Sequence, residues 1–305
     1  MRIQLTLTQY LFCFFLALFS FSSCKKTLEE ERTFSENKSI ENFIKGKNYS
    51  LVEGVYHVIN IPSFGYQVST GDTVKFLYKG YTLDGRVFDT NVKSVAKSAK
   101  LDTLIRSFDP IITIAGNGEL IKGLDQGLLQ MREGEFATIL FASPLGFGDN
   151  AVGPVESWSP LAYDVELLSV NSVSIQNEKN YIHSLNLGTE GFLDDPKSGL
   201  YYKEIYSELG SSPTIKDTIY GWYIGWCKGS LSDSTIIDEI NTDNKQIVLS
   251  SEDLPEGVRL GFMLTKTKGI TELVLPSYLG FGNKGNELIK PYQTVFYRIR
   301  LDSIK

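Results

Sequence analysis

Two copies of one unit follow each other along the chain. GVYHVI (54–59) aligns with GLYYKE (199–204) at an offset of 145 residues, and the same offset pairs GDTVKFLYKGY (71–81) with KDTIYGWYIGW (216–226). Asp72 and Asp217, Thr73 and Thr218, Tyr78 and Tyr223, and Gly80 and Gly225 stay in step. Further on, PLGFGDN (144–150) matches YLGFGNK (278–284) and LAYDVELLSV (161–170) matches VFYRIRLDSI (295–304). The offset there is 134 rather than 145, so the second copy is shorter by a net 11 residues in its middle. A chain of 305 residues built this way holds two like domains of ordinary size.

Both copies alternate apolar and polar residues in aromatic-rich runs, the signature of half-buried strands. One helix stands out in the first: Ile121, Leu124, Leu128 and Met131 recur at spacings of three and four and form one apolar face. Mostly strand with an occasional helix is α+β. The segments before each copy, ENFIKGKN (41–48) and EKNYIHSLN (178–186), look helical, and the polar stretch VNSVSIQNEKN (170–180) reads as a hinge. Gly116-Asn117-Gly118 reads as a turn. The expected division is 1–23 signal peptide, 24–40 flexible tether, 41–170 first domain, 171–196 linker with a short helix, and 197–305 second domain.

Composition removes several functions. With 42% hydrophobic and 22% charged residues the bulk of the chain is globular, and a net charge of −6 lacks the basic footprint of a nucleic-acid binder. Three cysteines (Cys13, Cys24, Cys227) and two histidines (His57, His183) are too few and too scattered for a disulfide framework, a metal site or a Ser/His/Asp nucleophile. Neither metal nor cofactor is expected, and Cys227 is read as a core residue on a strand.

Residues 1–24, MRIQLTLTQYLFCFFLALFSFSSC, run from one arginine through an apolar stretch to small residues and a cysteine, as a secretory signal does. The ending Phe21-Ser22-Ser23-Cys24 resembles the bacterial lipobox, which implies lipidation of Cys24 and a membrane anchor. An uncleaved membrane helix and ordinary secretion are the alternatives. The charged stretch 25–39 reads as a solvated tether, with Glu29-Glu30-Glu31 a charged spacer or a surface-export cue.

From about residue 52 to 170 the first copy resembles the FKBP-type peptidyl-prolyl isomerases. The resemblance rests on VKFLYKGYTLDGRVFDT (74–90), ITIAGNGELIKGLDQGLLQMREGE (112–135), the SPLGFG flap (143–148) and LAYDVELL (161–168), in that order. The second copy matches more loosely from about 197, through GLYY, LPSYLGFGNKG (275–285) and the last strand. The resemblance implies two domains, each a five- or six-stranded antiparallel sheet curled around one short helix, with an aromatic-lined proline cleft between sheet and helix. It implies that Tyr78 and Phe88 form the cleft wall and that Asp89 is the acid beside the twisted carbonyl. Leu120 and Ile121 fall in the loop whose backbone N–H holds the substrate carbonyl, Leu124 at the floor, Phe147 on the flap and Tyr163 on the last strand. The alternative is that these aromatics are core alone.

Such a cleft suffices for the chemistry. The X-Pro barrier of about 18–20 kcal/mol comes from amide resonance lost on twisting, and a dry pocket favours the less dipolar twisted amide. A thousandfold acceleration asks for about 4 kcal/mol. Two positions depart from the family: Leu124 stands where Trp is usual and Phe147 where Tyr is usual. An insertion, 91–110, carries Lys93, Lys97, Lys100 and Arg106 against two acids and reads as a solvated loop or a client contact. The second copy keeps Tyr223, Phe281 and Tyr297 but has Ile237-Asp238 for Phe-Asp, and Leu254, Pro255 and Val258 at the helix loop. Pro255 has no N–H to donate, so this copy is expected to bind or to support rather than to catalyse.

The expected function is isomerisation of proline-containing exported polypeptides by the first domain. The alternative is a non-catalytic chaperone or an adaptor subunit of an envelope protein complex. The expected location is the cell envelope, lipid-anchored and facing the periplasm at the outer membrane. The tandem pattern also resembles folding factors tied to gliding and export in Bacteroidetes-like bacteria.

Overall fold

The computed structural model describes residues 28–227 and 235–305. The expected signal peptide, with Cys13 and Cys24, lies outside the described residues. Two antiparallel sheets organise the chain. The first contains β1 (Ser50–Val52), β2 (Val55–Ile61), β3 (Thr73–Thr82), β4 (Val87–Thr90), β5 (Ile111–Ile114), β6 (Phe136–Phe141) and β7 (Leu161–Asn171), in the order β1-β2-β6-β7-β3-β4, with β5 also pairing β3. The second contains β8 (Leu193–Asp194), β9 (Tyr201–Tyr206), β10 (Thr218–Cys227), β11 (Thr235–Val248), β12 (Ile270–Leu275) and β13 (Val295–Ile304), in the order β11-β10-β13-β12-β9-β8. The two orders are the same path traced twice. The first sheet has seven strands rather than five or six, because β4 and β5 share the edge that the single long β11 occupies in the second.

Each concave face is filled by one short helix, α3 (Lys122–Leu128) in the first domain and α5 (Glu256–Leu264) in the second. Leu124 and Leu128 on α3, and Met131 just beyond its end, are buried against Phe76, Ile139, Phe141 and Val165. The helix approaches the sheet closely because it carries glycine where it touches. A Cβ on Gly123 would lie 2.2 Å from the Phe141 ring, and one on Gly127 would lie 2.3 Å from Ile139. Gly257 and Gly261 do the same against Leu275 and Leu273.

The outer faces are covered too, which corrects the expected tether and hinge. Residues 28–43 are helical (α1), and Glu36, Ile40 and Ile44 are buried. Ile40 and Ile44 pack on Tyr56, Val58, Tyr81, Leu140 and Ala162, the outward side chains of the first sheet. The stretch reads as solvated because only every fourth residue faces the sheet, while Glu29, Glu30 and Glu31 stay in water. In the second unit α4 (Val173–Ser184) follows β7 after one residue, Ser172, whose hydroxyl caps the helix at Ile175 N–H, 3.3 Å. Ile175 is buried in the first core and Ile182 packs with Trp226, Val274 and Phe296 of the second, so no hinge lies here. The insertion likewise holds a helix, α2 (Lys93–Ser98), where a loop was expected.

His57 on β2 and Glu135, the residue before β6, are both buried and meet 2.7 Å apart, and Cys227 is a buried free thiol on β10. No helix among the described residues is long and apolar enough to cross a membrane.

Candidate functional site: an aromatic cleft in the first domain

The side chains singled out in the first copy converge at the open end of the first sheet. Tyr78 on β3, Phe88 on β4, Leu120 and Ile121 before α3, and Phe147 beyond β6 are partly buried against one core cluster that includes Leu124 and Tyr163. Phe88 is the hub. Its ring meets Phe147 edge-on at 5.9 Å and Tyr163 edge-on at 5.7 Å, and Tyr163 in turn stacks on Phe141 at 5.9 Å. Gly80 makes this possible, since a Cβ there would come within 2.9 Å of both the Phe88 and Tyr163 rings.

Asp89 lies opposite Gly80 in the β3–β4 register, at the polar rim of the cleft. The Tyr78 hydroxyl donates to its Oδ2 at 2.6 Å, and the Arg106 guanidinium ion-pairs with its Oδ1. The Tyr78 hydroxyl is pushed well above the ordinary phenol range, chiefly by burial and then by Asp89, so it stays a proton donor. Burial does the same to Tyr163. Arg106 was not assigned to the site from sequence. It stands 17 residues from Asp89 inside a stretch that reads as solvated, and only the folding back of the insertion brings the two together.

Ile121 is the N-cap of α3, with φ −55° and ψ 132°, so its N–H precedes the first helical turn and is not consumed by it. The loop before it is braced by Asp125, whose carboxylate accepts from Gly116 N–H at 2.8 Å and Gly118 N–H at 3.0 Å. Both glycines have positive φ, as the expected turn requires. An apolar cleft with a carboxylate at its rim and a backbone donor at a helix start can hold a small apolar ring and the carbonyl beside it.

The second domain repeats the frame and alters the lining. Asp238 lies opposite Gly225 in the β10–β11 register as Asp89 lies opposite Gly80, and Pro255 is the N-cap of α5 with φ −53° and ψ 139°. The donor position of Ile121 is thus filled by a residue that has no N–H. Asp238 accepts from Tyr223 and Tyr297 hydroxyls, both at 3.4 Å, and has no ion pair among the described residues; burial holds its carboxyl above the usual range. Tyr78 and Leu120 are half-buried, whereas their counterparts Tyr223 and Leu254 are buried, and Val258 replaces the floor leucine with a smaller side chain.

A family model described as FKBP-type peptidyl-prolyl cis-trans isomerase matches residues 65–168 and again 210–302. FK506-binding protein 1 of Aspergillus oryzae is 31% identical over 127 residues, 39% of this chain and 99% of that protein. The short-type peptidyl-prolyl cis-trans isomerase of Methanocaldococcus jannaschii is 38% identical over 81 residues, 27% of this chain and 51% of that protein. Among solved structures, the three FKBP domains of wheat FKBP73 cover 84% of this chain and 99% of that one, at 18% identity and a TM-score of 0.33. With both copies matched and the site's frame present twice, the chain belongs to the FKBP-type peptidyl-prolyl cis-trans isomerase family and carries two FKBP domains.

Proposed function

We propose that the first domain is the working isomerase of this two-domain member of the family, acting on proline-containing polypeptides as they fold after export. The reading rests on one contrast. The first cleft pairs Asp89 with Tyr78 and Arg106 and has the Ile121 N–H at its helix start, while the second has Pro255 there and a half-buried Asp238 with no basic partner among the described residues. In the first cleft the proline ring packs among Tyr78, Phe88, Phe147 and Tyr163 over Leu124, and the Ile121 N–H donates to the carbonyl near the twisting bond. The cleft shields the amide from water as it loses its dipolar resonance form, so the barrier falls without a nucleophile or metal. Leucine at the floor still packs on a proline ring but gives less contact to a large ligand, so isomerisation is expected to be better retained than macrolide binding.

The test uses the full chain with an Xaa-Pro tetrapeptide. Phe88→Ala and Asp89→Ala lower kcat/KM by about ten- to a hundredfold, the loss of about 1.4–2.7 kcal/mol of transition-state binding. Asp238→Ala leaves it unchanged. Equal losses from the two domains overturn the assignment.

We propose further that the mature chain is lipid-anchored through Cys24 and faces the periplasm from the outer membrane, on the strength of the apolar stretch and the Phe21-Ser22-Ser23-Cys24 ending. Metabolic labelling with a radiolabelled fatty acid tests this: the label enters the wild-type chain and is lost in Cys24→Ser.

A further inference from the structure

Helix α1 touches the first flap at both of its ends, and it does so with residues one turn apart. The flap runs from Ser143, just after β6, to Trp158, just before β7, and carries Phe147 of the cleft. At its entry the buried Glu36 carboxylate uses both oxygens, accepting from Ser143 N–H at 2.6 Å and Ser143 Oγ at 2.9 Å. At its exit the Arg32 guanidinium lies 3.9 Å from the centre of the Trp158 ring. Trp158 has φ 61°, a left-handed conformation that a bulky side chain adopts only where its surroundings impose it. The two held residues meet at one point. Gly148 N–H donates to Ser143 O at 2.9 Å, and Trp158 N–H donates to Gly148 O at 2.7 Å. Gly148 is the residue after Phe147, whose ring meets Phe88 in the cleft wall. Arg32, Glu36, Ile40 and Ile44 follow one another at intervals of four, so the stripe of α1 that packs on the sheet also holds the flap.

The second domain is an internal replicate in which one of the two holds differs. Glu178 takes Ser277, Gly282 N–H donates to Ser277 O at 2.7 Å, Tyr292 N–H donates to Gly282 O at 3.0 Å, and Tyr292 has φ 56°. Ser174 of α4 stands in the place of Arg32, and the Tyr292 hydroxyl instead meets Ser69 Oγ of the first domain at 3.1 Å. In both copies an aromatic residue in a left-handed conformation closes the flap and is pinned from outside it. We propose that Arg32 and Glu36 are positioning residues of the isomerase, acting through the flap to keep Phe147 over the cleft. The proposal rests on the reading of the first cleft as the isomerase site. It extends the working unit to a helix that lies ahead of residue 65, where the family match begins.

The test measures kcat/KM of the full chain on an Xaa-Pro tetrapeptide, and hydrogen–deuterium exchange of the flap amides, in Arg32→Ala and Glu36→Gln. Each substitution is made also in a Phe147→Ala background. Arg32 is exposed, so its variant reads the flap even where Glu36→Gln fails to fold. Positioning predicts kcat/KM lowered about threefold by Arg32→Ala and about tenfold by Glu36→Gln, with faster exchange at Gly148 and Trp158. Once Phe147 is gone the flap has no ring to place, so in that background both substitutions change kcat/KM by less than about twofold. A merely structural role gives equal losses with and without Phe147 and overturns the proposal, as does an unchanged kcat/KM in the folded variants. A wild-type chain that turns over no substrate removes the isomerase reading instead. Faster flap exchange in Arg32→Ala then keeps α1 as the holder of the flap, and unchanged exchange overturns that as well.

Discussion

Gly123 and Arg106 show two ways in which single residues set the first cleft. Gly123 is a packing requirement: Gly123→Ala places a methyl against the Phe141 ring, and Phe141 stacks on Tyr163, so the strain passes into the cleft wall. Destabilisation of about 1–3 kcal/mol is expected in urea unfolding. Gly188→Ala, at an exposed position with nothing within 4 Å, should stay within about 0.5 kcal/mol. Arg106 is an electrostatic partner whose pair with Asp89 is partly open to water, so Arg106→Leu should lower kcat/KM by less than about fivefold, well short of the loss in Asp89→Ala. Asp125 and Arg259 carry a different lesson. They occupy equivalent helix positions with opposite charge, and a sequence comparison reads only a mismatch. In the structure both brace the loop before the helix, Asp125 by accepting from N–H groups and Arg259 by donating to the carbonyls of Leu249 at 2.7 Å and Ser251 at 2.8 Å.

At the scale of elements, each sheet is held between an inner and an outer helix, and the outer helix is tied to the flap by one buried carboxylate. Glu36 on α1 accepts from Ser143 N–H at 2.6 Å and Ser143 Oγ at 2.9 Å. Glu178 on α4 accepts from Ser277 N–H at 2.7 Å, Ser277 Oγ at 2.6 Å and Thr294 Oγ1 at 2.9 Å. The true correspondence is therefore Glu36-Asn37-Lys38-Ser39-Ile40 with Glu178-Lys179-Asn180-Tyr181-Ile182, one turn earlier in the first helix than the segment chosen from sequence. Glu178→Gln turns an amide nitrogen toward at least one donor and should cost about 1–3 kcal/mol at neutral pH. Burial raises the Glu178 carboxyl above its ordinary 4.5, the hydrogen bonds only partly opposing this, so the folded chain binds the proton more readily than the unfolded one. This group therefore makes the fold more stable as pH falls through the raised value and contributes no further change below 4.5. The stability advantage of wild type over Glu178→Gln should widen on acidification across that window, as read from urea midpoints at each pH.

The whole molecule joins its two domains through the second flap. Tyr66 and Tyr278 meet edge-on at 4.8 Å, Asn283 donates to Ser69 Oγ at 2.7 Å, and the Ser69 and Tyr292 hydroxyls lie 3.1 Å apart. Phe64 of the first domain packs against the core cluster of the second, and Tyr278 and Tyr292 pack against that of the first. Residues 277–292, which correspond to the flap of the first cleft, are thus clamped onto the neighbouring domain, while Phe147 has no such clamp among the described residues. The domains should unfold as one cooperative unit in calorimetry. Tyr278→Ala, which removes an edge-on pair worth about 0.5–1.5 kcal/mol beyond its buried area, should separate the transition into two while leaving tetrapeptide turnover intact.

Sequence by itself determined the duplication, the α+β class and the inner helix with Leu124 and Leu128 on its buried side, although the expected face ran from Ile121 to Met131 and the helix itself spans only Lys122–Leu128. The duplication, the class and the helix follow from periodicity and from order along the chain, which are local properties, whereas the aromatic residues of the cleft were implied by the resemblance of the first copy to the family. It also placed Pro255 at the helix start, because an N-cap and the turn before it are local too. Tertiary structure alone decided the rest. Arg106 reaches Asp89, Glu36 and Glu178 find their serines, and the second flap meets the first domain through contacts between residues up to 223 positions apart. A buried carboxylate has the same composition as a solvated one, so α1 and α4 read as tether and hinge until their partners are known.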